Sequence, residues 1–162
     1  TGEIGSKHMA ANGQDNITIM NMTGRGISNA RTDVDVRGMA FTIDEPPERG
    51  GNDDGPTPPE TLLAALVGCT NRISHKIAAK IGVEIQDMEI ELEAMFDRKG
   101  VNLDVEVDVP IIEITMKILM TTGAPDTAVE IIKTDLRKYC AISKVIRGSG
   151  TKITEIWTVK QP

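Results

Sequence analysis

The sequence is poor in aromatic residues and in cysteine. Phe, Trp and Tyr together make up 2% of its 162 residues, so it lacks the aromatic platforms on which single-stranded nucleic acids stack, and its core must be aliphatic. Its two cysteines are too few for the disulfide framework of a small secreted domain. We therefore expect a cytoplasmic protein whose thiols are reduced, and in which a disulfide would be transient and catalytic.

Positive charge and long apolar runs are scarce as well. The 18 Lys and Arg residues are outnumbered by 24 Asp and Glu residues, and the net charge of -6 argues against nucleic acid and anionic membranes as partners. The longest uninterrupted apolar run, residues 62–69, is far shorter than the roughly 20 residues that cross a bilayer. Residues 1–8 have the character of an expression tag, and we expect one domain over residues 9–162.

Short strands are predicted in the first part of the chain. They cover residues 17–22, 31–37 and 39–43, and the second of them alternates apolar with acidic side chains. A turn is expected at residues 23–26. Residues 45–56 are dense in Pro, Gly, Asn and Asp, which predicts a loop. A loop of about a dozen residues is long enough to suggest a function of its own.

A strong helix signal follows that loop. Thr57 is a candidate N-cap, Pro58 suits the first helical position and Glu60 completes a capping box. The predicted helix runs to Ile81 and stops at Gly82. Its apolar residues recur every three or four positions along one stripe: Leu62, Leu66, Cys69, Ile73 and Ile77. The first half of the helix is apolar on all sides, which indicates burial against more than one neighbour.

Two segments after the helix alternate apolar and acidic residues, which predicts strands at 88–96 and 101–109. A tight hairpin between them would place acidic side chains opposite one another, which is unfavourable. A third predicted strand, residues 112–120, is therefore the alternative partner of 88–96. The remaining predicted elements are helices at 125–139 and 142–146 and a strand at 152–160. Helices on an antiparallel sheet make the fold class α+β.

Two motifs resemble those of the OsmC/Ohr family, the osmotically induced and organic-hydroperoxide-resistance proteins. Residues 44–70, DEPPERGGNDDGPTPPETLLAALVGCT, are similar to that family's Gly-Gly loop, its proline-containing turn and its long Leu- and Ala-rich helix with a cysteine. Residues 140–146, CAISKVI, resemble its second motif, in which a cysteine opens a short helix. The two motifs are about 70 residues apart, as in the family, and the resemblance covers nearly the whole chain after the tag.

The resemblance implies an OsmC-like fold, in which antiparallel sheets wrap around long central helices in an intertwined homodimer. It also implies a thiol-dependent peroxidase that reduces organic hydroperoxides without a bound cofactor or metal. Cys69 would attack the peroxide and become a sulfenic acid, and Cys140 would condense with it to a disulfide. A small or lipoyl dithiol would then reduce that disulfide.

An arginine from an N-terminal strand and a glutamate that holds it complete the site in active members of the family. Arg25, Arg31 and Arg37 lie in the matching region, and Arg37 fits the pattern best. The glutamate stands ten residues before the first cysteine in those members, and here that position is Pro59. Glu60 follows it, in the G-P-x-P-x-E form of one branch of the family. Glu60 is therefore the candidate, beside its structural role in the capping box.

The local sequence and the resemblance differ on which thiol is the more reactive. Cys69 lies about three turns into its helix among Leu and Ile, where apolar surroundings disfavour a thiolate. Cys140 opens a short helix, whose free N–H groups favour a thiolate. His75, six residues after Cys69, points away from it along the helix. The cysteines and His75 are also too few and too scattered for a zinc site.

Two functions therefore remain open. The first is the hydroperoxide reductase that the resemblance implies. The second is a non-peroxidatic dimer of the same fold that binds a small molecule or senses redox state, and Pro59 in place of the glutamate favours it. A short distance between the two sulfurs and an arginine close to Cys69 would favour the first.

Overall fold

The computed structural model describes residues 16–162, which belong to two compact units that meet in sequence between Thr57 and Pro58. The first unit contains β1 (Thr23–Gly26), β2 (Thr32–Val36), β3 (Met39–Ile43) and a 3-10 turn at Pro47–Arg49. The second contains α1 (Pro58–Lys80), β4 (Asp87–Phe96), β5 (Ile111–Thr121), α2 (Asp126–Tyr139), α3 (Ala141–Gly148) and β6 (Lys152–Lys160). The predicted tag, residues 1–8, lies outside the described residues.

The first unit is a three-stranded antiparallel sheet in the order β1-β2-β3. The two strands predicted at 31–37 and 39–43 are confirmed as β2 and β3. The strand predicted at 17–22 is wrong, and β1 begins at Thr23, where we predicted a turn. The reason is that backbone pairing defines a strand: β1 aligns with β2 from Thr23 opposite Asp35 to Gly26 opposite Thr32, whereas residues 17–22 pair with no described strand.

The predicted loop at 45–56 is confirmed, and it is ordered around one buried side chain. Asp44 is 0% exposed, and its Oδ2 accepts hydrogen bonds from the backbone N–H groups of Asn52 at 3.0 Å and Asp54 at 3.2 Å. The hydrogen bond from Asn52 is the main reason why the pKa of Asp44 is lowered, since it stabilises the charged carboxylate. Asp44 therefore ties the two ends of the loop together.

The central helix is confirmed almost to the residue. α1 spans Pro58–Lys80, against a prediction that ended at Ile81. Gly82 has a left-handed φ of 77°, and the N–H of Val83 donates to the carbonyl of Ala78 at 3.0 Å. These are the features of a helix end closed by glycine. Among the described residues no helix is both long enough and apolar enough to cross a membrane.

The second sheet has the strand order β4-β5-β6. β4 pairs antiparallel with β5, as the alternative prediction had it, and Glu91 stands opposite Lys117 with 3.7 Å between carboxylate and ammonium. The strand predicted at 101–109 is wrong, because those residues form turns and bends between β4 and β5. Acidic residues on both segments would have faced one another in a hairpin.

Helices and sheets together confirm the α+β class, with one difference in strand direction. β6 pairs with β5 in the parallel direction, so the second sheet is mixed where we predicted an antiparallel one. The predicted helices at 125–139 and 142–146 are confirmed as α2 and α3, and they carry the chain from the end of β5 back to the start of β6. Such a return brings the next strand in parallel to the previous one.

The core of the second unit is aliphatic, as the scarcity of aromatic residues requires. Alternate residues of β5 turn one face of the strand inward, and the stripe of α1 and the apolar faces of α2 and α3 contribute the rest. The most deeply buried members are Leu66, Ile114, Met116, Ile118, Met120 and Ile132. Cys140 is part of the same buried cluster, and Cys69 packs against it.

Candidate redox site

The first cysteine of the site is placed by α1. Cys69 follows the fully buried Leu66 by almost one turn and precedes the buried Thr70, so its side chain lies at the margin of the buried stripe. It is half-buried and has no disulfide partner. Its position combines contact with the core and partial access from outside, which a thiol needs if it is to meet a substrate.

The second cysteine lies at the junction of two helices. Cys140 has φ -70° and ψ 104°, an extended conformation that ends α2 and begins α3. Its N–H donates to the carbonyl of Leu136 at 2.9 Å, and its own carbonyl accepts from the N–H of Lys144 at 3.0 Å. Both helices are thus continued up to the break by hydrogen bonds. The side chain at the break is 0% exposed.

The two sulfurs are in contact. Cys140 Sγ donates a hydrogen bond to Cys69 Sγ across 3.0 Å, although the residues are 71 positions apart in the chain. A disulfide bond is about 2.05 Å long, so an approach of about 1 Å would allow the sulfurs to bond. Both elements belong to the second unit, and direct packing of α1 against α2 and α3 holds the cysteines side by side.

The thiol of Cys140 is difficult to ionise. The pKa of Cys140 is raised from its ordinary value of 9.0 to about 11, with burial as the largest cause and the hydrogen bond to Cys69 as the second. The backbone N–H groups of Ser143 and Ile142 act the other way, but they do not compensate for the loss of water. The expectation that the helix start favours a thiolate at Cys140 is therefore wrong, because burial outweighs the backbone N–H groups.

The three arginines considered for the site all belong to the first unit. Arg31 binds Asp33 at 2.9 Å and Asp54 at 2.8 Å, and the hydrogen bond to Asp33 is the main reason why the pKa of Arg31 is raised. Arg37 lies in the tight turn between β2 and β3 with a left-handed φ of 57° and is exposed. Arg25 is exposed on β1, directly opposite Asp33.

Glu60 lies in the first turn of α1 and is exposed. Glu60 precedes Cys69 by nine positions, which is about 14 Å along the helix axis. Glu60 therefore cannot touch the sulfur, and any part it takes in the chemistry would pass through another side chain. Its role in the capping box and its role in the site both stay predictions.

The ring of His75 is engaged within its own helix. The ring Nδ1 of His75 lies 3.0 Å from the carbonyl of Asn71 on its own helix. Within residues 16–162, no group of three or more His, Cys, Asp and Glu side chains is arranged to hold a metal ion.

One group of residues next to the site was not identified from the sequence. The carboxylate of Glu155 on β6 is nearly buried and binds both Arg137 at the end of α2 and Arg147 in α3. In the sequence Glu155 is simply an acidic residue in a predicted strand. No motif or spacing sets it apart, because its partners come from two other elements.

A family model described as "OsmC-like protein" matches residues 50–155, which is more than half of the chain. The chain belongs to the OsmC-like family. The matched range includes the glycine loop from Gly50 onward, both cysteines and Glu155. The family predicted from the two motifs is thereby confirmed. No curated protein matches this OsmC-like protein at a significant level.

Solved structures of the family share the fold of this OsmC-like protein at low sequence identity. An OsmC-like protein from Mycoplasma pneumoniae is 15% identical with a TM-score of 0.72, over 88% of this chain and 97% of that one. An organic hydroperoxide resistance protein OsmC from Legionella pneumophila is 15% identical with a TM-score of 0.65, over 89% and 99%. OhrB, the organic hydroperoxide resistance protein of Bacillus subtilis, is 19% identical with a TM-score of 0.57, over 87% and 98%. At such identities the likeness establishes the fold and leaves the activity to the site itself.

Proposed function

We propose that this OsmC-like protein is a thiol-dependent peroxidase that reduces organic hydroperoxides in the cytoplasm, with no bound cofactor. The observation that carries the proposal is the contact of 3.0 Å between Cys69 Sγ and Cys140 Sγ. The names of the relatives from Legionella pneumophila and Bacillus subtilis, both organic hydroperoxide resistance proteins, support the choice of substrate.

In the first step, the thiolate of Cys69 attacks the outer oxygen of the hydroperoxide. The O–O bond breaks, the alkoxide leaves with a proton as the alcohol, and Cys69 becomes a sulfenic acid. Two features favour Cys69 as the attacker. It is the more accessible sulfur, and it accepts the hydrogen bond from Cys140, which stabilises negative charge on Cys69 Sγ.

In the second step, the thiol of Cys140 condenses with that sulfenic acid. The S–S bond forms, and the hydroxyl of the sulfenic acid leaves with the proton of Cys140 as water. The buried Cys140 remains protonated until this moment, because its pKa is raised to about 11. An external dithiol then reduces this disulfide by thiol–disulfide exchange. The dithiol is oxidised to its own disulfide, and Cys69 and Cys140 become thiols again.

Arg37 and Glu60 complete this proposal. An arginine beside the attacking sulfur would stabilise its thiolate, and Glu60 would hold that arginine. The sequence pattern favours Arg37 as that arginine. Arg31 is less available for this role, since it is already bound to Asp33 and Asp54.

A second copy of the chain is the partner that we propose. α1 exposes an apolar face near the site, in which Leu62 is 41% exposed and Ala65 and Gly68 are exposed beside it. An exposed apolar helix face of this kind is typical of a surface that binds another protein chain. A homodimer formed through α1 would also explain why the first half of the helix is apolar on all sides.

Consumption of cumene hydroperoxide by the reduced protein in the presence of a dithiol tests the activity. We expect turnover in the intact protein, its loss in Cys69→Ser, and in Cys140→Ser a sulfenic acid that persists and reacts with dimedone. No consumption by the intact, reduced protein would overturn the peroxidase. If an oxidant such as diamide still produced the Cys69–Cys140 disulfide in that case, the second function, a redox-sensing module, would take its place.

A further inference from the structure

The carboxylate of Glu155 connects the two helices on either side of Cys140 to β6. Its side chain is only 4% exposed. Its Oε2 accepts from Nε of Arg137 at 3.0 Å, and its Oε1 accepts from Nη2 of Arg147 at 3.0 Å. Arg137 lies in the last turn of α2, and Arg147 lies in the last turn of α3. Cys140 thus lies between two helices that are both fastened to the same carboxylate.

Arg147 extends this connection to the thiol itself. Its Nη1 donates to the carbonyl of Ile153 at 2.9 Å, and its Nε donates to Oγ of Ser143 at 3.2 Å. Ser143 is buried, and its backbone N–H forms a hydrogen bond with the thiol of Cys140. A continuous series of contacts therefore leads from Glu155 through Arg147 and Ser143 to Cys140.

The burial of Glu155 distinguishes these contacts from the other ion pairs of the second unit. The other ion pairs within the second unit join side chains that are each at least 27% exposed, and exposed pairs of that kind contribute little. Glu155 differs from these residues because its carboxylate is buried, while Arg137 is 59% and Arg147 is 33% exposed, so its negative charge depends on the two guanidinium groups for compensation. Removing the charge of Glu155 would release two guanidinium groups at once. The ends of α2 and α3 would then lose their fixed position against β6.

We infer that Glu155 is a positioning residue for the disulfide-forming step, because it holds the break between α2 and α3 in the geometry that presents Cys140 to Cys69. This inference rests on the proposed function in that it assigns Cys140 the resolving role. Glu155 touches neither sulfur, and it acts through Arg137, Arg147 and Ser143. Without it the two sulfurs would spend less time in contact, so the bond between them would form more slowly and be less stable.

The test compares Glu155→Gln with Glu91→Gln, which removes one carboxylate of the exposed pair with Lys117. Each reduced protein is equilibrated in glutathione redox buffers, and the fraction with a Cys69–Cys140 disulfide is measured by acid quenching, alkylation and mass spectrometry. We expect Glu155→Gln to lower the equilibrium constant for disulfide formation about tenfold, which corresponds to a reduction potential higher by about 30 mV. Glu91→Gln should match the unmodified protein.

A second measurement separates the two chemical steps. After a single addition of cumene hydroperoxide, the rate at which Cys69 is oxidised should be the same in both variants. The rate at which the sulfenic acid gives way to the disulfide should fall about tenfold or more in Glu155→Gln. General loosening of the fold would change both rates, whereas a positioning role changes only the second.

Equal potentials and equal rates of disulfide formation in the two variants would overturn the inference. If Glu155→Gln does not fold, Arg137→Gln and Ser143→Ala each remove a single contact of the series, and each should produce a smaller shift in the same direction. No shift in either would equally overturn it. The glutathione experiment contains no hydroperoxide, so its result can be interpreted even if the protein is not a peroxidase.

Discussion

Cys140 Sγ donates a hydrogen bond to Cys69 Sγ across 3.0 Å, and this makes the two thiols unequal. The donor is fully buried at a helix junction, with a pKa raised to about 11 by that burial. The acceptor lies on α1 and is half-buried. One thiol is accessible and the other is protected, and the two sulfurs lie 3.0 Å apart. Such a pair suits a reaction in which one sulfur reacts with the substrate and the other then forms the disulfide.

Alkylation should distinguish the two thiols. At pH 8 only about one Cys140 thiol in a thousand would be ionised at a pKa of about 11, and the side chain is inaccessible as well. We expect iodoacetamide to modify Cys69 several-fold faster than Cys140, as measured by mass spectrometry of each cysteine-containing peptide over time. The Cys69→Ser variant is the control, and its Cys140 should stay slow. Faster modification of Cys140 would contradict the assignment of roles.

The stability of the reduced protein should fall at alkaline pH because of Cys140. Its pKa is about 11 in the folded state and near 9.0 in the unfolded state, so between these values the folded chain retains a proton that the unfolded chain releases. The contribution to stability is complete below pH 9 and is lost as the pH rises through 11. We expect a loss on the order of 2 kcal/mol in the free energy of unfolding across this window.

Urea denaturation under reducing conditions, at pH 8 and at pH 10 to 11, measures that loss. Cys140→Ser is the control, because its hydroxyl does not titrate in this range while other alkaline groups remain in place. The difference between the two proteins should grow with pH. Parallel pH dependences would show that Cys140 titrates normally.

The loop at residues 45–56 should not tolerate a side chain at Gly51. A Cβ at this position would lie 1.7 Å from the carbonyl oxygen of Glu45 and 2.7 Å from Oδ1 of Asp44, so the backbone would have to move. We expect Gly51→Ala to lower the free energy of unfolding by about 1–3 kcal/mol. Gly24→Ala is the matched control in the same unit, since its nearest neighbour would be Thr32 Cγ2 at 3.6 Å. Equal thermal stabilities would show that the loop accommodates the change.

The proposed homodimer can be tested at Gly68. A Cβ there would meet nothing within 4 Å among the described residues apart from its own helix, so the chain itself has room for a larger side chain. If α1 packs against a second copy, Gly68→Leu should obstruct the close approach and shift the protein toward monomer by at least tenfold in the dissociation constant. Analytical ultracentrifugation measures this shift. Gly148→Leu, also at an open position, is the control and should leave the association unchanged.

The strength of the sequence-based prediction differed from element to element for physical reasons. α1 was predicted closely because its start, its apolar stripe and its final glycine are local signals that agree. Residues 101–109 alternate as a strand does and still form none, because alternation describes which faces of a segment are apolar and does not supply a neighbour to pair with. In the same way, residues 17–22 were predicted as a strand and have no pairing partner, whereas the predicted turn at residues 23–26 pairs with β2 and forms β1.

The pairing of β4 was predictable from charge. The sequence shows that a hairpin between residues 88–96 and 101–109 would set acidic residues against one another, and Lys117 in the next apolar segment offers the opposite sign. The structure pairs Glu91 with Lys117. The parallel direction of β6 could not be predicted from the sequence, because it depends on how α2 and α3 return the chain to the sheet.

For this protein the sequence alone determined the family, the α+β class, the position of the long helix and the two cysteines, because each leaves a signal in neighbouring residues. Tertiary structure alone decided that the sulfurs meet at 3.0 Å, that burial raises the pKa of Cys140 to about 11, and that Glu155 binds both Arg137 and Arg147. Distance, loss of water and ion pairing arise between residues that are remote in the chain. Local preferences do not encode them, because they exist only once packing has brought those residues together.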